Sequence, residues 1–204
     1  MVSFTAREVR DILISMFVIA TIFAYLINSR NINENLIVLI PALLISVGLG
    51  FVLHELAHKF VAVRYGFFAE FKMWLEGLIL ALAMAFLLGF VFVAPGAVYI
   101  HGEHISREQN GKISIAGPLV NIGLALFFLS LTPFITKNPT DIWGFVYANI
   151  VVYGFIINSI LAAFNLLPLG IFDGAKVLRW NPVLWGITFT VSLILAVKAY
   201  FGIY

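Results

Sequence analysis

Residues Phe51–Phe60 read F-V-L-H-E-L-A-H-K-F. His54 and His58 are four residues apart, so on a helix both imidazoles lie on one face and can reach one metal ion. Glu55 sits beside that ion without having to ligate it, where it can take a proton from an attacking water. The residues before the motif, Asn35–Leu53, carry no charge. The ionisable cluster therefore lies inside an apolar helix. H-E-x-x-H arises by chance in soluble helices, but ionisable groups within a membrane span are expensive and functional by default. The setting favours metal binding over packing.

Working outward, the chain has 204 residues, 62% hydrophobic and 11% charged. Soluble domains are about a quarter charged, so this composition points to an integral membrane protein. Lipid admits helices or closed barrels, and the apolar runs here are continuous rather than alternating, which selects helices. The sequence contains no cysteine, excluding disulfides and thiolate metal sites. A net charge of +2 gives no reason to expect a nucleic-acid partner. The first apolar run lacks a cleavable-signal pattern and reads as a retained anchor.

Spans are expected at Ile12–Ile27, Leu36–Val63, Ile113–Leu131, Ile142–Leu167 and Pro182–Tyr200. Leu75–Ala94 is a further apolar run. Asn28–Glu34 reads as a polar turn, Arg64–Lys72 as a polar connection, Gly96–Ile100 as a strand and Asn110-Gly111 as a turn. The architecture expected is an all-α polytopic helix bundle of five to six spans, with one irregular or re-entrant element and a short β segment. Trp74, Trp143, Trp180 and Trp185 fall near span ends, as interfacial tryptophans do.

Catalytic zinc takes three protein ligands and keeps one open position, so a third ligand must come from elsewhere. Asp173 stands out. It follows Asn165-Leu166-Leu167-Pro168 and Leu169-Gly170-Ile171-Phe172. Pro168 breaks the helix, and irregular backbone at membrane depth is tolerated where it lines a cavity. A surface turn at Asp173-Gly174 is the competing reading.

His54-Glu55-Leu56-Ala57-His58, then Ala116-Gly117-Pro118-Leu119-Val120-Asn121, then Asn165-Leu166-Leu167-Pro168 with Asp173-Gly174, resemble in order the three motifs of the site-2 protease family. The resemblance covers roughly residues 36–180. It implies a zinc metalloprotease that cuts membrane-embedded substrates, with His54, His58 and Asp173 as zinc ligands and Glu55 as catalytic base. Asn165 would line the active site and steady the substrate or its oxyanion. The expectation is one transmembrane protease domain over residues 1–204, holding a single zinc ion, with no appended soluble domain. Its partners would be the lipid bilayer and single-span or membrane-anchored protein substrates, and its place the cell membrane of a prokaryote.

One feature departs from the family core, in which the three motif helices are consecutive spans: Leu75–Ala94 intervenes. If it crossed fully, Asp173 would lie on the face opposite His54 and His58, and no ion bridges a distance near the ~30 Å hydrocarbon thickness. Charge bias gives an independent test. With six full spans, Arg7, Arg10, Arg64, Lys72 and Lys137 fall on the N-terminal side, and an equal number of cations fall on the other. If Leu75–Ala94 re-enters and returns, bent near Gly89, Arg107, Lys112, Lys176 and Arg179 join the N-terminal side, while Arg30 and Lys137 occupy the other. Both arguments favour re-entry and a cytoplasmic N-terminus.

Other readings are weaker. A metal-ion transporter should carry ionisable residues along several spans and often repeated halves. A non-proteolytic membrane metal-binding protein has no use for Glu55. His101 and His104 could pair on a second metal, but solvated loop histidines explain them better. Gly96–Ile100 could pair with an unwound substrate. Asn121 could hydrogen-bond across helices or line the site.

Overall fold

The computed structural model describes residues 2–30, 36–91, 95–102, 104–136, 139, 141–170 and 172–202. Most of the expected polar turn at Asn28–Glu34, the end of the Leu75–Ala94 run, and Lys137 lie outside these residues. The helices are α1 (Ala6–Arg30), α2 (Leu36–Leu43), α3 (Leu49–Arg64), α4 (Leu75–Leu88), α5 (Arg107–Leu131), α6 (Ile142–Asn165), α7 (Asp173–Trp180) and α8 (Pro182–Tyr200). Strands β1 (Phe68–Met73) and β2 (Gly96–His101) form an antiparallel pair.

Among the described residues, five helical stretches are long and apolar enough to cross a membrane: Ala6–Asn28, Leu39–Arg64, Arg107–Phe134, Ile142–Asn165 and Pro182–Tyr200. The protein is an integral membrane protein. The helix α4 is different. Its 14 residues reach about 21 Å at 1.5 Å per residue, short of the ~30 Å a span needs. It stops at Gly89, whose φ of 72° is the left-handed conformation that caps helices.

The expected helix Leu36–Val63 is helical throughout, with one irregular turn inside it. Pro41 lies inside α2, and residues Leu44–Gly48 form a π turn before α3 resumes. Proline and π turns are both recognised causes of a helix bend. The expected turn at Asn110-Gly111 is helical instead. The reason is an N-terminal capping box, Ser106 with Gln109, which starts α5 at Arg107. Residues 169–181, expected as a loop, contain α7. Part of the expected polar connection Arg64–Lys72 forms β1, which β2 recruits as its partner.

The core is knit by α5, α6 and α8 through Ile122, Phe128, Phe155, Leu166 and Leu195, and by α1, α2 and α6 through Ala20, Leu39, Leu43, Val47 and Ile157. Between helices in lipid the gain is close packing rather than escape from water. These contacts set α6 between the helix that carries His54 and His58 and α8, and so place the Asp173 turn.

Candidate metal centre

His54 and His58 lie in α3, both buried, with their rings edge to face at 4.7 Å between centroids. Asp173 opens α7. Its Oδ2 lies 3.5 Å from His54 Nε2 and 3.1 Å from His58 Nε2, and the two Nε2 atoms are 3.0 Å apart. Asp173 Oδ1 faces away and accepts from Lys176 Nζ at 3.3 Å. Residues 119 positions apart in the chain thus meet at one point.

The donor set fits a zinc ion. Ligands at the usual zinc distances of about 2.0–2.2 Å in a tetrahedron stand roughly 3.3 Å apart. The three edges here, 3.0, 3.1 and 3.5 Å, bracket that value. The ring tautomers agree. His58 Nδ1 meets the Ile113 carbonyl at 2.8 Å, an acceptor only, so it must carry the proton. His54 Nδ1 meets Asn121 Oδ1 at 2.5 Å and carries its proton too. Both Nε2 atoms then turn lone pairs toward each other and toward a carboxylate. Such a cluster is repulsive until a cation occupies it.

The helix α5 supplies the wall behind the ligands. Pro118 has no N–H for the Ser114 carbonyl, the neighbour of the Ile113 carbonyl that His58 uses. Gly117 packs directly on the rings. A Cβ there would stand 2.5 Å from both Nε2 atoms. Gly117→Ala is therefore expected to displace the ligands and lower activity about 100-fold, the order of loss for a ~1 Å misplacement. Metal analysis of the purified variant checks this, and full zinc content with normal turnover would contradict it.

Glu55 stands apart from the three-residue metal group. Its Oε2 accepts the Val98 N–H of β2 at 3.0 Å. With His54, His58 and Asp173 it lines a cavity of about 620 Å³, bounded by apolar side chains of α1, α4 and α6 such as Ile22, Leu78 and Ile160. Asn165 lines the same cavity, while its Nδ2 donates to the Leu161 carbonyl at 2.9 Å. His101 and His104 are exposed and join no metal-sized group among the described residues. Residues the sequence did not single out are Asn158, which bonds Asn121, and Val98, which bonds Glu55. Backbone donors leave no mark in a sequence, and a buried asparagine in a span is a weak one.

The chain is 45% identical over 184 residues to a protein of Methanocaldococcus jannaschii named as a candidate zinc metalloprotease, MJ0611, with 90% of each chain covered. The chain belongs to a site-2 protease-like family of zinc metalloproteases. Two further relatives share less of their sequence with this chain. Rip2 of Mycobacterium tuberculosis, likewise named as a candidate zinc metalloprotease, is 29% identical over 62% of this chain and 52% of its own length. The zinc metalloprotease MJ0392 of M. jannaschii is 28% identical over 84% of this chain and 43% of its own. No family model matches the chain, and no solved structure does. Membership makes the protein a metalloprotease and its ion zinc.

Proposed function

We propose that this metalloprotease is an intramembrane endopeptidase. It hydrolyses peptide bonds within or near the transmembrane segments of single-span or membrane-anchored proteins, using a single zinc ion. The observation that carries the reading is the Glu55 carboxylate in one buried, apolar-walled cavity with His54, His58 and Asp173.

His54 Nε2, His58 Nε2 and Asp173 Oδ2 would hold the ion. When bound, zinc supplies a Lewis acid and a water nucleophile usable near neutral pH. Glu55 takes the proton from the attacking water and returns it to the leaving amine. Asn165 is placed on the cavity wall where its amide can contact the substrate backbone. The apolar walls limit bulk water and accept the side chains of a membrane segment.

A scissile bond inside a helix is shielded, so the substrate must unwind, and the β sheet offers a surface for the unwound stretch. The pairing Phe71↔Val98 turns both N–H groups out of the ladder, since alternate antiparallel pairs do not bond each other. On the β1 side these donors are already taken: Phe71 N–H by Glu8 Oε1 at 3.0 Å and Met73 N–H by Asp11 Oδ2 at 3.4 Å. The β1 edge is closed by α1. The β2 edge faces Glu55, whose carboxylate takes the Val98 N–H, so a strand added there would lie beside the base and compete for that contact.

The N-terminus is cytoplasmic in this reading, α4 enters and leaves from that side, and the cell membrane is that of a prokaryote. Single cysteines at Gly102 and Thr136 are expected to react from opposite sides of sealed vesicles. Labelling of both from the same side would defeat this topology. Zinc analysis of the purified protein, with a cleavage assay on a panel of single-span substrates, tests the activity: bound zinc and cuts inside the spans are expected, and zinc-loaded protein that cuts none of them would defeat the assignment.

A further inference from the structure

His58 and His54 are prepared for their ion in different ways. For His58 the acceptor on Nδ1 is a backbone carbonyl, Ile113 O, which has one possible role. For His54 the acceptor is a side-chain amide, Asn121, which could face either way. Turned over, Asn121 would present N–H to Nδ1, the ring proton would move to Nε2, and the ligand atom would be blocked. Something must fix that amide.

The structure assigns this task to Asn158, as a positioning residue that sets the tautomer of His54 through Asn121. The inference rests on the zinc site described above. Asn158 lies on α6 and is fully buried. Its Nδ2 donates to the Gly154 carbonyl at 2.9 Å and to the Ser46 carbonyl at 3.3 Å. Both partners are acceptors only, so the orientation of this amide is determined. Its Oδ1 therefore faces Asn121 and accepts from Asn121 Nδ2 at 2.9 Å. The Gly50 carbonyl takes a second bond from the same Nδ2 at 3.3 Å. Asn121 Oδ1 is left to accept from His54 Nδ1. The order of donors runs one way, from His54 through two amides to backbone carbonyls of the metal helix and of α6.

Two features of the metal helix are shaped to this relay. Ser46 lies within the π turn, a kind of distortion found often at functional sites. Gly50 approaches so closely that a Cβ would collide with the Asn158 amide. Reversing Asn158 would set its oxygen against two carbonyls, and in a buried network each unsatisfied group is expensive. The π turn at residues 44–48 and the readiness of His54 are thus parts of one arrangement.

The test reads zinc affinity and the ring proton, neither of which needs a substrate. In ¹⁵N-histidine-labelled, zinc-loaded protein, the His54 proton is expected on Nδ1, and a proton on Nε2 would overturn the relay with no variant needed. Asn158→Leu, similar in volume but apolar, is expected to weaken zinc about tenfold in chelator competition, the lower end for losing an outer partner of a ligand. Asn158→Ala serves if leucine does not fold. Asn121→Asp supplies the rescue. A carboxylate accepts the Nδ1 proton with either oxygen, and Asn158→Leu removes the amide oxygen that would oppose the second one, so in that background the substitution is expected to leave zinc affinity unchanged or to raise it, never to lower it. An equal loss in both backgrounds, or none in either, overturns the proposal. Wild-type protein that holds zinc with the expected tautomer but cuts nothing would remove the protease reading alone.

Discussion

Glu55→Gln is expected to lower peptide cleavage by at least about 100-fold, the floor for losing a general acid–base group, while zinc stays bound. The two halves of the result come from separate atoms. The metal group is His54, His58 and Asp173, and Glu55 is not in it, so the substitution removes no ligand. Glutamine keeps the shape of the side chain and retains an oxygen to accept the Val98 N–H, which holds Glu55 at 3.0 Å. The helix, strand and ion should therefore stay in place. What is lost is the capacity to take a proton. Gel-based cleavage of a single-span substrate, beside zinc content of the same preparation, gives both readings. Cleavage that persists would move the base elsewhere and remove the mechanism; zinc that departs would make residue 55 part of the coordination.

The chemistry was more legible in the sequence than the path of the backbone. His54 and His58 are tied by helix spacing alone. Asp173 needed an argument about depth: the odd apolar run had to turn back for a carboxylate so far along the chain to reach the pair. The helix α4 is too short to cross and ends at Gly89, and Asp173 approaches His58 to 3.1 Å. The π turn in the metal helix at residues 44–48 was not legible, because such a turn is stabilised by tertiary partners such as Asn158 and leaves no local pattern. The strand β1 was missed for a related reason. The segment F-A-E-F-K-M is short and mixed in polarity, and its pairing depends on β2, far along the chain. The start of α5 could have been found: Ser106 followed three residues later by Gln109 is a capping box, and it outweighed the Asn110-Gly111 turn signal.

The second large effect lies beside the site rather than in it. Lys59 follows His58 directly and is almost wholly buried, as is Glu8 of α1. Lys59 Nζ is 2.6 Å from both Glu8 oxygens and 2.7 Å from the Ser3 carbonyl, and it sits 4.0 Å above the Phe4 ring. Glu8 also accepts the Phe71 N–H of β1 at 3.0 Å. One carboxylate thus joins the first helix, the metal helix and the sheet. Glu8→Ala leaves an unpaired buried cation and an orphaned backbone donor, and is expected to destabilise the fold by about 3–5 kcal/mol. Replacing both members, Glu8→Leu with Lys59→Met, removes the charges together and should recover most of that loss, because a buried pair is worth little against a well-packed apolar substitute. Recovery should stop short of wild type by about 1–3 kcal/mol, since the Phe71 N–H still has no acceptor. Thermal unfolding in detergent of the single and double variants measures both steps. A Glu8→Ala protein within about 0.5 kcal/mol of wild type, the range of an ordinary surface change, would show that this pair does not join the three elements.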